Sequence, residues 1–450
     1  MKRERRENLV QDFEDLACAR ADLVEGEPEL PWYRAAGPGI VTGAADDDPS
    51  GIGTYSANGA LFGYLLLWLV PLCIPLMVAV QEMCGRVAAI TGDGLAAVIK
   101  ANYPRWLLIS CISLLVCANV FNVYADLNVM AASINMLFGL PFWMGLICLT
   151  GILVTSQILI PYRLYAKVLK WLCLSLLGYV VVVFMPGVKN DWRAIATGLV
   201  VPHFDLKTET ILGIVAFLGT TISPYLFFWQ ASQTMEEEIV ERVADEPGFR
   251  TSAVTNREIR NIRADTMTGM IVSQLVALFI VVAAAGTLHA SGMTHIDTGQ
   301  DAAKALKPLG AAAYWIFATC MIGTGLLAIP TLAGSAAYAV AESLGWRSGL
   351  YRRYGRAKRF YMTVGAMIIV GCLMNFVGFV SPMKALVYSA ALNGIVAPPL
   401  IVVLLMICNN RKIMGLRTNG RWSNFLSGLT VVMMGSAAIY LVYAMLTGKA

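Results

Sequence analysis

The stretch from residue 37 to residue 64 reads GPGIVTGAADDDPSGIGTYSANGALFGY. Apolar residues flank a centre of three carboxylates, Asp46, Asp47 and Asp48, which is followed by Pro49 and a glycine-rich turn. Three consecutive carboxylates are costly inside a bilayer, and unpaired backbone at that depth needs protein or water around it. We therefore predict two half-helices that meet at this break, with unwound carbonyls and a carboxylate facing a cavity. The alternative, a loop that dips only into the membrane interface, stays open at this point.

The rest of the chain has the composition of a membrane protein. Of its 450 residues, 57% are hydrophobic and 14% are charged, which would leave a soluble protein with far too much apolar surface. Segments of roughly 20 apolar residues are long enough to cross the hydrocarbon core as helices. Eleven such segments are predicted, centred near residues 50, 77, 118, 150, 176, 222, 277, 325, 369, 395 and 435.

The positions of the basic residues predict the orientation. Lys and Arg stay on the cytoplasmic side of short loops, and with the N-terminus inside, 27 of the 34 basic residues are cytoplasmic. An even number of spans would spoil this asymmetry. We predict a multi-pass protein of the inner (plasma) membrane with a cytoplasmic tail (residues 1–35) and an external C-terminus. The net charge of +5 then reflects orientation, and a nucleic-acid partner is excluded.

A second break lies five spans after the first. Residues Gly219 to Pro224 interrupt the sixth span with the sequence GTTISP. Corresponding breaks in two halves of a transporter indicate a binding site between inverted repeats, whereas an ordinary proline kink is the alternative. The predicted units are residues 36–187 and 208–408, each with five helices, followed by an eleventh helix at 422–447.

The first span resembles that of the natural resistance-associated macrophage protein (NRAMP) family of divalent-metal transporters. The family has a Pro-Gly opening, an Asp-Pro-Gly-Asn break, and a Gly-x-x-Phe-Gly-Tyr segment that ends in Leu-Leu-Trp. The matching residues are Pro38-Gly39, Asp48-Pro49-Ser50-Gly51, Gly59 to Tyr64 and Trp68, with looser matches at Thr220 to Tyr225, Asn135 to Pro141 and Leu386 to Ser389. The resemblance implies an all-α polytopic membrane fold with eleven transmembrane helices, the inverted five-helix repeats of amino-acid transporters, and broken first and sixth helices. It also implies a metal site between the two breaks.

The departures from the family concern its metal ligands, which are the Asp and Asn of the first break and an Ala carbonyl and a Met sulfur of the sixth. Here Asp48 is kept, Gly51 replaces the Asn, Thr220 replaces the Ala and Ser223 replaces the Met. Thioether ligands favour softer transition metals, while carboxylate, hydroxyl and water suit magnesium, calcium and manganese. A roomy site with few carboxylates and retained waters suits magnesium. The pattern is similar to the NRAMP-related magnesium transporters, although manganese stays open.

The same comparison bears on proton coupling. The family's histidine of the sixth break is Tyr225 here, the third span keeps a single acid, Asp126, and the ninth span, Phe360 to Phe379, contains no Lys or Arg. These changes predict uncoupled uptake driven by the membrane potential. Asp126 as a titrating group, or as a group bonded to Asn122 or Tyr124, remains an alternative.

Further residues are candidates for the pathway or for the surroundings of the ion. Asp46 and Asp47 cannot face one ion together with Asp48, because successive helical residues point to different faces. Glu82 and Arg86 lie one turn apart and predict a structural ion pair. The remaining pathway candidates are Ser50, Thr54, Thr221, Tyr225, Gln230 and Asn393.

No sequence motif predicts an enzyme, since the chain has no phosphate-binding glycine loop and no metal-ligand spacing of His and Cys. The expected partners are a divalent metal ion as substrate and the lipid bilayer, with no cofactor and no obligate protein partner evident. Other hypotheses stay open: a proton-coupled manganese or transition-metal transporter, a metal sensor without transport, and a transporter of a small organic solute.

Overall fold

The computed structural model describes residues 38–159, 176–186, 188, 190–245, 256–296, 298–310, 312–350, 352, 354–377 and 381–447. The predicted N-terminal tail, most of the fifth span and residues 246–255, between the sixth and seventh predicted spans, lie outside these residues. The described chain is helical, and no described residue forms a strand. Its helices are α1 (Pro38–Asp46), α2 (Pro49–Phe62), α3 (Leu69–Thr91), α4 (Leu95–Asn102), α5 (Arg105–Phe138), α6 (Phe142–Leu159), α7 (Leu177–Val183), α8 (Trp192–Val200), α9 (Thr208–Thr221), α10 (Pro224–Asp245), α11 (Asn256–Thr287), α12 (Gly299–Ala303), α13 (Ala312–Leu344), α14 (Lys358–Met374), α15 (Pro382–Asn409), α16 (Arg411–Met414) and α17 (Arg421–Leu446).

Seven helical segments in the described part of the chain are long and apolar enough to cross a membrane. One of them combines α9 and the start of α10 (Thr208–Glu236). The helix pair α1 and α2 and the shorter helices α6 and α14 lie where three further spans are predicted. Only the end of the fifth span, α7, is described. Exposed apolar side chains such as Phe425, Val432 and Ile439 on α17 fit contact with lipid.

Two broken helix pairs lie at the centre of the molecule. Helix α11 packs along both α1 and α2, and α15 packs against α9. Helix α15 also contacts α5. The breaks between α1 and α2 and between α9 and α10 are therefore enclosed by neighbouring helices, as unwound backbone at membrane depth requires.

The contact of α9 with α15 depends on a glycine next to the second break. A Cβ atom at Gly219 would lie 2.1 Å from the carbonyl oxygen of Ala390 and 2.4 Å from the nitrogen of Gly394. Backbone atoms cannot rotate away as a side chain can, so only glycine permits this approach of the two helices.

We expect Gly219→Ala to lower the melting temperature of the purified protein in detergent, by the equivalent of about 1–3 kcal/mol for an overpacked contact. Gly151→Ala is the matched control, because a Cβ atom there meets nothing within 4 Å. An equal melting temperature for the two variants would contradict the tight packing of α9 on α15.

Candidate metal site

Asp48 lies at the first break and caps α2. Its backbone is extended (φ −77°, ψ 169°), and its Oδ1 atom accepts hydrogen bonds from the Gly51 backbone N–H (2.6 Å) and the Ser50 hydroxyl (2.9 Å). Asp is among the best N-cap residues, and Pro49 suits the first helical position because its missing N–H would have no partner there. The local sequence thus ends one helix and starts the next at this carboxylate.

Ser223 and Pro224 form the second break. Helix α9 ends at Thr221, Ile222 leaves the helical conformation (φ −112°, ψ 60°), and α10 begins at Pro224. The Ser223 hydroxyl points back to α9, within 2.9 Å of the Gly219 carbonyl oxygen and 2.7 Å of the Thr220 carbonyl oxygen. It can donate to either carbonyl, and its lone pairs stay available to a cation.

The two breaks meet through hydroxyl groups. The Ser50 and Thr220 hydroxyl oxygens are 3.4 Å apart. The Tyr225 hydroxyl donates to the Ala45 carbonyl (2.9 Å) and lies 3.4 Å from Asp48 Oδ2. These side chains are all buried, so the structure shows the site closed to solvent.

Gly51 lies directly against these oxygens. A Cβ atom at this position would lie 3.3 Å from Thr220 Oγ1 and 3.4 Å from both Asp48 Oδ1 and the Asp46 carbonyl oxygen. The absent side chain therefore brings one carboxylate, one hydroxyl and one carbonyl close together, and these are the ligand types that hard divalent cations prefer.

Asp46 and Asp47 face a different helix from the Asp48 site. The Ser273 hydroxyl on α11 lies 2.7 Å from Asp46 Oδ2 and 3.3 Å from Asp47 Oδ1. Asp46 Oδ1 has no hydrogen-bond partner among the described residues. As the spacing predicts, the three carboxylates do not converge on one point. Ser273 was not among the candidates from the sequence, although Ser273 and Gln274 are consecutive polar residues inside an apolar span.

Asp126 on α5 is a buried acid close to the first break. It lies against the Ser50 backbone and within electrostatic reach of Asp48, and neither carboxylate oxygen accepts a hydrogen bond of ordinary geometry from a described residue. The alternative in which Asn122 bonds to Asp126 is wrong in this structure, because the amide groups of Asn122 and Asn393 bond to each other (2.9 and 3.2 Å).

Several pathway candidates instead join helices around the site. Asn393 ties α15 to α5 through Asn122. Gln230 accepts a hydrogen bond from Thr42 (2.6 Å), which joins α10 to α1, and the Thr221 hydroxyl lies 2.9 Å from the Tyr55 hydroxyl. Thr54 Oγ1 is buried without a described partner. These contacts place Asn393, Gln230 and Thr221 in the walls of the site.

Four buried acids lie at the centre of the molecule. No described Lys or Arg forms an ion pair with the four buried acids Asp46, Asp47, Asp48 and Asp126. Uncompensated carboxylates in a low-dielectric interior are unfavourable, and a cation relieves that cost. No three His, Cys, Asp or Glu side chains of the described residues are placed to hold a metal together. An ion at Asp48 would therefore need hydroxyl, carbonyl and water ligands.

Two broken helix pairs that meet at a buried polar site define an integral-membrane carrier. The family model described as natural resistance-associated macrophage protein-like (Nramp) matches residues 39–444. The chain belongs to this family, which confirms the family resemblance seen in the sequence. It is therefore a multi-pass membrane transporter and not an enzyme.

Two curated relatives carry the description divalent metal cation transporter MntH. The protein from Pectobacterium carotovorum is 26% identical over 428 residues, covering 92% of this chain and 94% of the relative. The protein from Brucella suis is 25% identical over 421 residues, covering 92% and 88%.

Two solved structures share the fold. The manganese transporter of Eremococcus coleocola, in complex with an aromatic bis-isothiourea substituted compound, has a TM-score of 0.72 at 16% identity, with 93% of this chain and 88% of that chain covered. MHP1, a nucleobase-cation-symport-1 family transporter, has a TM-score of 0.55 at 15% identity and 92% coverage of both chains. The predicted transporter fold with broken helices is confirmed by these likenesses.

Proposed function

We propose that this protein carries divalent metal cations across the inner membrane, with Mg²⁺ as the preferred ion and without proton coupling. The observation that carries the proposal is the cluster of oxygen ligands beside Gly51, which includes the Asp48 carboxylate and the Thr220 hydroxyl. Family membership and the MntH relatives support divalent metal cations as the substrate class.

The preference for magnesium follows from the ligand types at the site. Mg²⁺ keeps several of its waters and is usually bound through one or two carboxylates. The site offers the Asp48 carboxylate and the Thr220 and Ser223 hydroxyls, and it has no thioether at the Ser223 position. A hydrated ion held by Asp48 fits this arrangement better than a dehydrated soft metal.

The membrane potential supplies enough energy for uptake without protons. A divalent ion entering a negative interior gains about 4.6 kcal/mol per 100 mV, twice the single-charge value. Tyr225 places a hydroxyl, which does not titrate near neutral pH, where the family has a histidine. No basic residue lies in the described part of the ninth span after Arg359. A proton relay through these positions is therefore absent from the proposed mechanism.

Orientation and internal symmetry complete the proposal. The N-terminus is cytoplasmic and the C-terminus is external, because this orientation places most Lys and Arg residues on the cytoplasmic side. Residues 36–187 and 208–408 form the two inverted units that move relative to each other, so that the Asp48 site opens to one side at a time.

Proton-coupled manganese transport is the second candidate, and Asp126 favours it. A buried acid next to Asp48 that has no described side-chain hydrogen-bond partner is suited to exchange a proton when a cation arrives. The Eremococcus coleocola structure is that of a manganese transporter, which adds weight to this alternative.

We expect proteoliposomes with an inside-negative potential to take up Mg²⁺ without internal acidification. The measurement combines a magnesium-sensitive dye with an internal pH probe, with manganese as a competitor and protein-free liposomes as the blank. Acidification that accompanies manganese entry and disappears in Asp126→Asn would establish the coupled alternative and overturn the uncoupled one.

A further inference from the structure

A cleft of about 690 Å³ opens between α3, α11 and α17, apart from the Asp48 site. Its walls are mainly apolar and include Pro75 and Val78 of α3, Met267 and Ile271 of α11, and Leu426 of α17. This volume lies within the usual range for small-molecule sites. The three helices are spans, and Met267 and Ile271 are exposed on α11, so the cleft opens on the outer surface of these spans.

One end of the cleft is basic. Four arginines (Arg86, Arg263, Arg417 and Arg421) and a single carboxylate, Glu82, line it. As the i,i+4 spacing predicts, Arg86 Nε pairs with Glu82 Oε1 at 3.1 Å, and Arg263 pairs with the same oxygen at 3.2 Å. Two guanidinium groups therefore share one carboxylate, and the described residues of the lining keep a net positive charge.

Arg86 is fixed within this end of the cleft, whereas Arg263 and Arg421 are accessible. Arg86 is buried and donates to the Arg417 carbonyl oxygen (2.6 Å) and to Asn419 (2.5 Å). The Arg263 side chain is 63% exposed, and Arg421 is exposed at the first residue of α17. A cation at a helix N-terminus opposes the helix dipole, and a bound anion would relieve that repulsion.

The depth of the cleft matches one leaflet of a membrane. Helix α3 rises ~16 Å between Pro75 and Arg86, at 1.5 Å per residue, and half of a ~30 Å hydrocarbon core is ~15 Å. Trp422 lies beside the arginines and is 77% exposed, as is typical of aromatic residues at the level of lipid headgroups. The basic end therefore lies where phosphates lie, and the apolar walls lie where acyl chains lie.

We propose that this cleft binds an anionic phospholipid, with its phosphate at Arg263 and Arg421 and one acyl chain between α3 and α11. Basic pockets between spans on the cytoplasmic side are suited to anionic headgroups, and the adjoining apolar walls select a lipid over a free anion. The occupant stabilises the contacts of α3 with α11 and α17, and α11 in turn packs along both halves of the first broken helix pair.

Native mass spectrometry of the full-length protein in detergent tests this site. Phosphatidylglycerol is titrated beside phosphatidylcholine with the same acyl chains and beside inorganic phosphate. We expect one phosphatidylglycerol to bind at least about tenfold more tightly than phosphatidylcholine, and the double variant Arg263→Gln/Arg421→Gln to weaken it about thirtyfold. Arg411→Gln is the control, because Arg411 is an exposed arginine outside the cleft lining, and it should leave binding unchanged.

A second variant tests the apolar part of the cleft. Ile271→Trp would fill the groove and weaken both lipids, whereas Ile369→Trp, at a similarly exposed position on α14, should weaken neither. Equal retention of the two lipids by the wild type, or equal loss in Arg411→Gln and the double variant, would overturn the proposal. Binding of inorganic phosphate that depends on Arg263 and Arg421, with no preference for phosphatidylglycerol, would show a free-anion site instead.

Discussion

Asp48→Asn is expected to reduce Mg²⁺ uptake about a hundredfold while the protein still folds. Asn caps helices as well as Asp does, so the bond from the Gly51 N–H (2.6 Å) can be kept while the charge is lost. A unit charge and a divalent ion about 4 Å apart attract by roughly 8 kcal/mol at an effective dielectric of 20. The amide oxygen of Asn and water replace part of that attraction. A net loss of about a third of it corresponds to about a hundredfold in affinity. Flux into proteoliposomes at equal protein density measures the effect.

Asp191→Asn makes the same chemical change at another helix start. Asp191 is exposed and caps α8 by accepting from the Arg193 and Ala194 N–H groups (3.0 and 3.1 Å). Uptake by this control should equal that of the wild type. Folded Asp48→Asn protein that transports within twofold of the wild-type rate would remove Asp48 from the proposed site.

Both broken helices could be predicted from sequence because the signals are local. Asp48 followed by Pro49 is a helix start, and the residue before Pro224 is biased away from the helical conformation. Each signal acts within a few residues, so no knowledge of the packing is needed. The structure places both breaks within the predicted stretches.

The surroundings of the ion could not be predicted in full, since they depend on contacts between distant parts of the chain. Ser273 approaches both Asp46 and Asp47 across 227 and 226 residues of sequence. The Asn122 amide bonds to Asn393 and not to Asp126. Both are polar neighbours of Asn122, and only the packing of α5 on α15 determines which of them it contacts. The direction of the Ser223 hydroxyl, toward the α9 carbonyls, is likewise set by the geometry of the break.

The double variant Gly51→Asn/Ser223→Met is expected to raise the ratio of manganese to magnesium uptake at least about tenfold. The Met sulfur supplies a soft ligand that favours transition metals over magnesium. Loss of the Ser223 hydroxyl also frees the Thr220 carbonyl, 2.7 Å away, to bind the ion. Gly51 does not have a positive φ, so its backbone can accept Asn. The new Cβ atom would lie 3.3 Å from Thr220 Oγ1, so the larger side chain crowds the ligands and leaves less room for a retained water shell. Cadmium, a soft ion, should inhibit manganese uptake by this variant.

The control is Gly51→Asn/Ser223→Leu, which has nearly the volume of the methionine variant but no sulfur. If both variants shift the ratio equally, the larger residue at Gly51 or the loss of the Ser223 hydroxyl sets the selectivity, and the thioether does not. If neither shifts it, the preference for magnesium is decided elsewhere on the pathway, and the proposed link between these two positions and the choice of ion is wrong. A shift in the methionine variant alone would show that one side chain at the second break separates magnesium from manganese in this fold.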